Sequence, residues 1–184
     1  TFSVNGTITL GSALPAIAHP NLTITGNGAA NTIISGNNAV RGLSVTANNL
    51  TLALNSLTIT NANSTTNGAA LSFASNGGTL NLTDCVLSNS TTTTKGGGLY
   101  LTGTGANATL ANTTLSNNTA TSYGGGIEIE SATLTLNGCT VSGNSAGGIQ
   151  QQLGTLTLTD CTLSGNSTSR IGGGLWSNGT ATLT

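Results

Sequence analysis

Carboxylates give this 184-residue chain its main scope for chemistry, and only four are present. Glu128 and Glu130 are the one close pair, because residues two apart in a strand share a face at about 7 Å. Paired carboxylates cleave glycosidic bonds in many enzymes. Asp84 and Asp160 take equivalent positions in a repeat, but they lie three turns, or about 14 Å, apart. We interpret Glu128 and Glu130 as solvated surface charges and predict no catalytic residue.

The other ionisable and aromatic side chains form no pattern that predicts a second site. His19 has no evident partner, and Lys95 and Arg170 each precede a glycine run, where charged side chains are usually solvated. Tyr100 and Trp176 are expected to point outward, where exposed aromatic rings stack on sugars or fill interfaces. We expect no cofactor, and no metal either, because the chain has no CxxC motif or histidine partner.

Three cysteines occupy one inward column, with Thr113 between the first two. Cys139 and Cys161 lie in adjacent turns, but parallel stacked Cβ atoms about 4.8 Å apart are too distant for a disulfide without adjustment. Cys85 lies two turns from Cys139. We predict a column of buried free thiols, with a Cys139–Cys161 disulfide as the alternative.

The elements that position these residues belong to a repeat. One leucine recurs at intervals of 22 to 28 residues, at Leu54, Leu82, Leu110, Leu136, Leu158 and Leu183. Each repeat holds three short apolar–polar alternations, which are typical of half-buried strands. A period in the twenties with such strands predicts a solenoid. We predict an all-β, right-handed parallel β-helix with three strands per rung and six to seven rungs.

Stacking of the rungs predicts further columns. Asn118, Asn144 and Asn166 share a turn position, where we expect a left-handed backbone and an amide ladder. The glycine runs are expected to form tight corners before the third strand. Gln151 and Ser177 fall at inward positions, which we attribute to a shifted register near a loop.

We expect a single domain over residues 1–184, with an irregular N-terminal cap at 1–42 and regular rungs at 43–184. Its last rung is incomplete. The residues Ala181, Thr182, Leu183 and Thr184 form the first strand of that rung and are predicted to be an assembly edge, unless the chain is cut within a repeat. Because the chain begins at Thr1 and has no methionine, we expect it to be a mature or excised piece.

The composition narrows the class of partner. Only 4% of the residues are charged, against roughly 25% in a typical domain. A neutral surface rich in hydroxyls and amides disfavours binding to nucleic acid, and no apolar run is long enough to span a membrane. Few lysines and arginines mean few protease sites, which favours an extracellular or cell-surface location.

Two recurring elements resemble the polymorphic membrane protein repeat of bacterial autotransporter passengers. The first is Gly96-Gly97-Gly98-Leu99, with equivalents that end at Ile127, Ile149 and Leu175. The second is Leu115-Ser116-Asn117-Asn118, with equivalents that end at Asn144 and Asn166. Leu or Val stands where the family has an aromatic residue, and Gly where it has Ala. The resemblance covers roughly residues 50–184 and implies a secreted or surface-displayed role in adhesion or structure, without a catalytic residue.

The sequence therefore predicts a non-enzymatic extracellular or cell-surface structural protein, such as an adhesin passenger, a stalk or a self-assembling fibre subunit. Its expected partners are further copies stacked end to end or other surface components, with carbohydrate as another candidate. Two alternatives stay open: an ice-binding threonine-rich solenoid, whose unequal rungs would spoil a regular array, and a polysaccharide lyase or hydrolase.

Overall fold

A computed structural model describes residues 1–2 and 5–184, and within them the chain forms strands and turns and no α-helix. The strands, numbered along the chain, pair in parallel and wind into a β-solenoid of about six turns. The predicted all-β parallel solenoid is therefore confirmed.

Three sheets run along the solenoid, and each complete turn from residue 21 onward contributes one strand to each sheet. Sheet 1 contains β2 (Asn21–Thr25), β5 (Thr51–Asn55), β9 (Thr79–Thr83), the second halves of β12 (Leu99–Ala111) and β15 (Ile127–Asn137), β18 (Gly154–Thr159) and β21 (Thr180–Leu183). Sheet 2 contains β1 (Gly6–Thr9), β3 (Thr32–Ser35), β6 (Thr58–Thr60), β10 (Val86–Ser88), β13 (Thr114–Ser116), β16 (Thr140–Ser142) and β19 (Thr162–Ser164). Sheet 3 contains β4 (Leu43–Val45), β8 (Leu71–Ala74), the first halves of β12 and β15, β17 (Ile149–Gln151) and β20 (Leu175–Ser177). A short fourth stack contains β7 (Asn63–Ser64), β11 (Thr91–Thr92) and β14 (Thr119–Ala120).

Alternation of apolar and polar residues creates the core. Leu54, Leu82, Leu110 and Leu136 pair in register along sheet 1, and none is more than 1% exposed. Inward residues of sheets 2 and 3 join the same hydrophobic cluster. Since each turn buries its apolar side chains against its neighbours, the core is one continuous column rather than a set of separate centres.

Left-handed residues form the corner between sheets 1 and 2. Ser56, Asp84, Asn112 and Asp160 all have φ near +50°, and Gly138 takes the same position with φ +61°. Short polar side chains and glycine tolerate this conformation best. The two aspartates are therefore corner residues, and the Asn112 Nδ2 donates to the Asp84 Oδ1 at 3.2 Å.

Asparagines stabilise the next corner from inside. Asn118 Nδ2 donates to the Leu87 carbonyl at 3.0 Å and to Asn144 Oδ1 at 3.2 Å, and Asn144 Nδ2 donates to Asn166 Oδ1 at 2.9 Å. Asn118 and Asn144 are fully buried. The amide ladder exists as predicted, but the expected left-handed backbone is wrong. The residue before each asparagine, Asn117 for the first, has the positive φ, and this leaves the ladder residue free to turn inward.

Glycines complete the corner before sheet 3. Gly96 and Gly124 have φ of +68° and +61°. A Cβ on Gly98 would lie 2.6 Å from the Gly126 carbonyl oxygen of the next turn. The glycine run therefore provides both the tight corner that we predicted and a close approach between turns.

Candidate functional site

A cleft beside sheet 3 contains most of the charged and aromatic side chains of the regular turns. Its floor is an outward column with one residue per turn. Tyr100 pairs with Glu128, Glu128 with Gln150, and Gln150 with Trp176. Since paired residues of parallel strands lie about 4.8 Å apart, Glu128 is enclosed by Tyr100 on one side and Gln150 on the other.

Glu128 is fully buried, so the interpretation of this residue as a solvated surface charge is wrong. Its Oε1 accepts a hydrogen bond from Gln152 Nε2 at 3.3 Å, whereas its Oε2 has no partner among the described residues. Burial raises the pKa of Glu128 to about 7, against weaker opposing effects of the Gln152 hydrogen bond and the Lys95 charge. The carboxyl group is therefore partly protonated at neutral pH.

Glu130 is directed elsewhere by a β-bulge. Leu101 pairs with Ile129 but Thr102 pairs with Ser131, which leaves Glu130 as an extra residue in its strand. A bulge redirects the side chain that it carries. The two Glu130 oxygens bind Lys95 Nζ and Tyr100 Oη, each at 2.5 Å.

These contacts give the carboxyl groups of Glu128 and Glu130 different pKa values. Burial raises the pKa of Glu130, but hydrogen bonds from Lys95 and Tyr100 outweigh it, and the resulting pKa lies below the usual value. Burial, and then the bond to Glu130, raises the pKa of Tyr100 to about 12. Tyr100 is only 7% exposed, so the expectation of an exposed ring there is also wrong.

Above this floor the cleft encloses about 300 Å³. Its lining residues are Lys95, Tyr123, Gln150, Gln152, Arg170, Ile171 and Trp176. The Arg170 guanidinium lies 4.7 Å from the centre of the Tyr123 ring, and its Nη1 donates to Tyr123 Oη at 3.0 Å. Arg170 and Tyr123 lie two turns apart and close one side of the cleft.

A short loop explains why a cleft exists here. Before its glycines, the turn of Tyr123 has the loop 119–123 and the turn of Arg170 has the loop 167–171. In the turn between them, Ala146 takes the position of Gly124, and only Ser145 precedes it. The gap left by the short loop lies directly beside Gln150, and the longer neighbouring loops form its walls.

The sequence predicted Glu128 and Glu130 as a pair on one strand face, which the bulge at Glu130 separates. It identified Lys95, Arg170 and Trp176 singly and did not bring them together with the two glutamates. It missed four lining residues: Tyr123, Gln150, Gln152 and Ile171. An alignment of the residue after each Gly-aliphatic element would have shown the floor column. Gln151, next to Gln150, is in register with Ile129 and Ser177, so the register-shift explanation is wrong. Its buried amide bonds to Ser177 Oγ, Gly154 O and Thr180 O.

The other predicted residues lie away from the cleft. Cys85 and Cys139 are buried, Cys161 is partly buried, and all three are free thiols. The Cys85 and Cys139 thiols each donate to two main-chain carbonyls, and burial raises the pKa of both. His19 is exposed and contacts the Asn21 carbonyl at 3.0 Å. No group of three or more His, Cys, Asp or Glu in the described residues could hold a metal ion.

The predicted assembly edge lies in β21, which pairs with β18 along one side. Its residues Ala181, Thr182 and Leu183 are exposed, Leu183 to 63%. Thr184 donates its N–H to Leu158 and accepts from Asp160. Because alternate residues of a strand direct their main-chain groups to opposite sides, Ala181 and Leu183 present theirs at the open edge.

A threonine surface covers sheet 1. Its three outward columns contain mainly threonine, with asparagine and two alanines, and no charged residue. The middle column reads Thr23, Ala53, Asn81, Thr109, Thr135, Thr157 and Thr182. The columns stay in register through turns of unequal length, so the expectation that unequal rungs spoil the array is wrong.

Comparison of the chain with protein-family models, with curated proteins and with solved structures finds no significant match. Within the described residues there is also no helix of the length and apolar character needed to cross a membrane.

Proposed function

We propose that this chain is a non-enzymatic structural solenoid of an extracellular or cell-surface protein, which acts as a stalk, an adhesin passenger or a fibre subunit. The unbroken stacking carries the proposal. The same leucine column, asparagine ladder and parallel strand pairs continue from turn to turn. Since each turn depends only on its neighbours, such a structure extends as a stiff rod.

The small number of basic residues and their contacts within the fold support a role outside the cell. All three basic side chains are engaged within the fold. Arg41 donates to Gly68 O, Ser64 Oγ and Thr66 Oγ1, Lys95 pairs with Glu130, and Arg170 lies on Tyr123. A neutral surface with few protease sites suits a protein that persists in an extracellular environment.

End-to-end stacking would occur through β21. Within residues 1–2 and 5–184 no strand pairs with the far side of β21, where Ala181 and Leu183 direct their main-chain groups, and the exposed Leu183 side chain extends the buried leucine column. An edge of this kind is a template for another strand. The strand that covers it would bury Leu183 and continue sheet 1.

Surface exposure and stacking are tested separately. Antibodies against the chain should label intact cells of its source, and labelling only after permeabilisation would contradict the location.

Electron microscopy of the purified protein should show particles that lengthen with concentration. Ala181→Pro removes an N–H from the open edge while the pairing with β18 stays, so it should abolish lengthening. Ala181→Ser is the matched control, and compact particles for the wild type would refute stacking.

Ice binding is a second candidate, and the in-register threonine surface of sheet 1 favours it. Its hydroxyls repeat about every 4.8 Å across strands and about 7 Å along them, on a surface free of charge. Thermal hysteresis should be lost in a Thr109→Leu/Thr135→Leu variant and kept in Thr114→Leu/Thr140→Leu, which changes outward threonines of sheet 2. Absence of hysteresis and ice shaping in the wild type would eliminate this function.

A polysaccharide lyase or hydrolase is less well supported by this geometry. Catalytic carboxylates must reach the glycosidic bond, yet Glu128 has no exposed surface and Glu130 is bonded to Lys95 and Tyr100. Release of reducing ends from acidic or neutral polysaccharides, lost in Glu128→Gln, would overturn the non-enzymatic proposal.

A further inference from the structure

The cleft beside sheet 3 is built like a small-ligand site. Its volume of about 300 Å³ lies within the range of protein ligand pockets. Its floor and walls come from rigid strands and from loops anchored to each other by the contact of Arg170 with Tyr123. The site therefore needs no rearrangement of the solenoid before a ligand enters.

The lining combines one aromatic surface with free amides. Trp176 is half-buried at the end of the floor column and adjoins Gln150. Neither the Trp176 indole nor the Gln150 amide makes a side-chain hydrogen bond within residues 1–2 and 5–184. An aromatic plane beside free amide donors and acceptors suits a pyranose ring, which has apolar faces and a rim of hydroxyls.

The charge of the cleft indicates whether its sugar ligand is neutral or acidic. Lys95 is neutralised by Glu130, whereas Arg170 forms no ion pair among the described residues and rests on an aromatic ring. A guanidinium group binds a carboxylate through two parallel hydrogen bonds. The uncompensated positive charge of the cleft therefore favours an anionic ligand.

A buried carboxylate oxygen without a hydrogen-bond partner among the described residues lies beneath the same cleft. Glu128 Oε2 is buried without a hydrogen-bond partner, and the residues beside and above it, Gln150 and Gln152, both line the cleft. An orphaned buried oxygen is costly. The neutral form of Glu128 lowers this cost, and the site therefore has a protonatable carboxyl group directly beneath the cleft floor.

We propose that this cleft binds an acidic saccharide, a uronic-acid unit whose carboxylate pairs with Arg170, whose ring stacks on Trp176 and whose hydroxyls bind Gln150 and Gln152. The binding is non-covalent and leaves the saccharide intact. It adds glycan recognition to the structural role and does not depend on end-to-end stacking.

Trp176 is the only tryptophan of the chain, so its fluorescence reports on the cleft directly. Titration with a trimer of galacturonic acid should give a saturable change, and galactotriose should bind at least ten-fold more weakly. Arg170→Gln should weaken binding of the acidic trimer at least ten-fold, and Arg170→Lys should lose less. Thr157→Val, on sheet 1, is the control. Equal binding of both trimers, or an unchanged affinity in Arg170→Gln, would overturn the proposal.

Protonation of Glu128 gives a second readout. Between pH 6 and pH 8 Lys95 stays protonated, Tyr100 stays neutral and Glu130 stays ionised, because the pKa of each is shifted further from this range, whereas Glu128, with a pKa of about 7, loses its proton within it. An ionised Glu128 repels an anionic ligand, so affinity should fall about five-fold from pH 6 to pH 8. Glu128→Gln should bind with the same affinity at both pH values, and a pH dependence that persists in this variant would contradict the placement of the ligand.

A loop variant tests the position of the site without changing any lining side chain. Insertion of Thr-Ala-Thr-Ser between Ser145 and Ala146 restores the length of the neighbouring loop 119–123. The inserted residues should fill the gap and abolish binding while circular dichroism stays unchanged. Unaltered binding in the folded insertion variant would exclude the cleft as the site.

Discussion

The asparagine ladder should be a main source of stability, and Asn144→Leu tests it most directly. Leucine has the same branched shape but cannot form hydrogen bonds. In the fold, Asn144 Oδ1 accepts from the Asn118 N–H at 2.9 Å, and Nδ2 donates to the Leu115 carbonyl at 3.0 Å. Both main-chain groups belong to fully buried residues, so the substitution leaves two polar groups without partners.

Each orphaned group costs about 1–3 kcal/mol, which gives a loss of about 4 kcal/mol in the free energy of unfolding. With a urea m value of about 2 kcal/mol/M, the unfolding midpoint should fall by about 2 M. Asn166→Leu should cost less, because Asn166 is only half-buried and water can replace its bonds. Asn137→Leu, on the exposed side of β15, should change stability by less than about 0.5 kcal/mol. A midpoint for Asn144→Leu as high as that of Asn137→Leu would refute the role of the ladder.

Three further predictions concern protonation, the thiols and proteolysis. Because burial raises the pKa of Glu128 to about 7 from 4.5, its neutral form stabilises the fold fully below about pH 4.5. That contribution, about 3 kcal/mol, should decline as the pH rises through 7, and chemical denaturation of Glu128→Gln should show a flatter pH profile; equal profiles would contradict this. Cys139→Thr should cost less than about 1 kcal/mol, because Thr113 already fills this column and donates to Ala111 O at 3.0 Å; a loss above about 2 kcal/mol would count against the interpretation. Trypsin should cut the native chain first after the exposed Arg170, and Arg170→Gln should delay cleavage; initial cuts elsewhere, read by mass spectrometry, would contradict it.

The columns of the solenoid could be predicted because each depends on local alternation and on one repeat period. Leu54 and Leu82 identify the inward direction of sheet 1, and parallel pairing then fixes every other position of the strand. The outward columns at Thr114 and Ser116 follow by the same reasoning and agree with the observed register. No long-range contact had to be known.

The cleft could not be predicted in this way, because outward orientation was equated with exposure. Glu128 does point away from the core, yet side chains of the two adjacent turns cover it. The bulge at Glu130 and the reach of Arg170 across to Tyr123 depend on loop lengths in neighbouring turns, which alternation does not encode. The backbone conformation predicted for the asparagine ladder was wrong for a related reason. The sequence places Asn118 at the corner, but whether Asn118 or Asn117 takes the positive φ depends on which side chain the core accepts.

Irregularity of the repeat, rather than the repeat itself, therefore creates the place where a ligand can bind. Main-chain hydrogen bonds fix sheets 1 and 2 in every turn, so substitutions there change the surface but cannot make a concavity. Loops before the glycine runs carry no such constraint, and a loop shorter than both neighbours leaves a gap whose walls are the neighbours themselves. In this chain the short loop at Ser145 lies between the turns of Tyr123 and Arg170, and the floor beneath it carries the buried Glu128. A solenoid with equal loops would present a continuous ridge at that corner and would leave no gap above the buried carboxyl group.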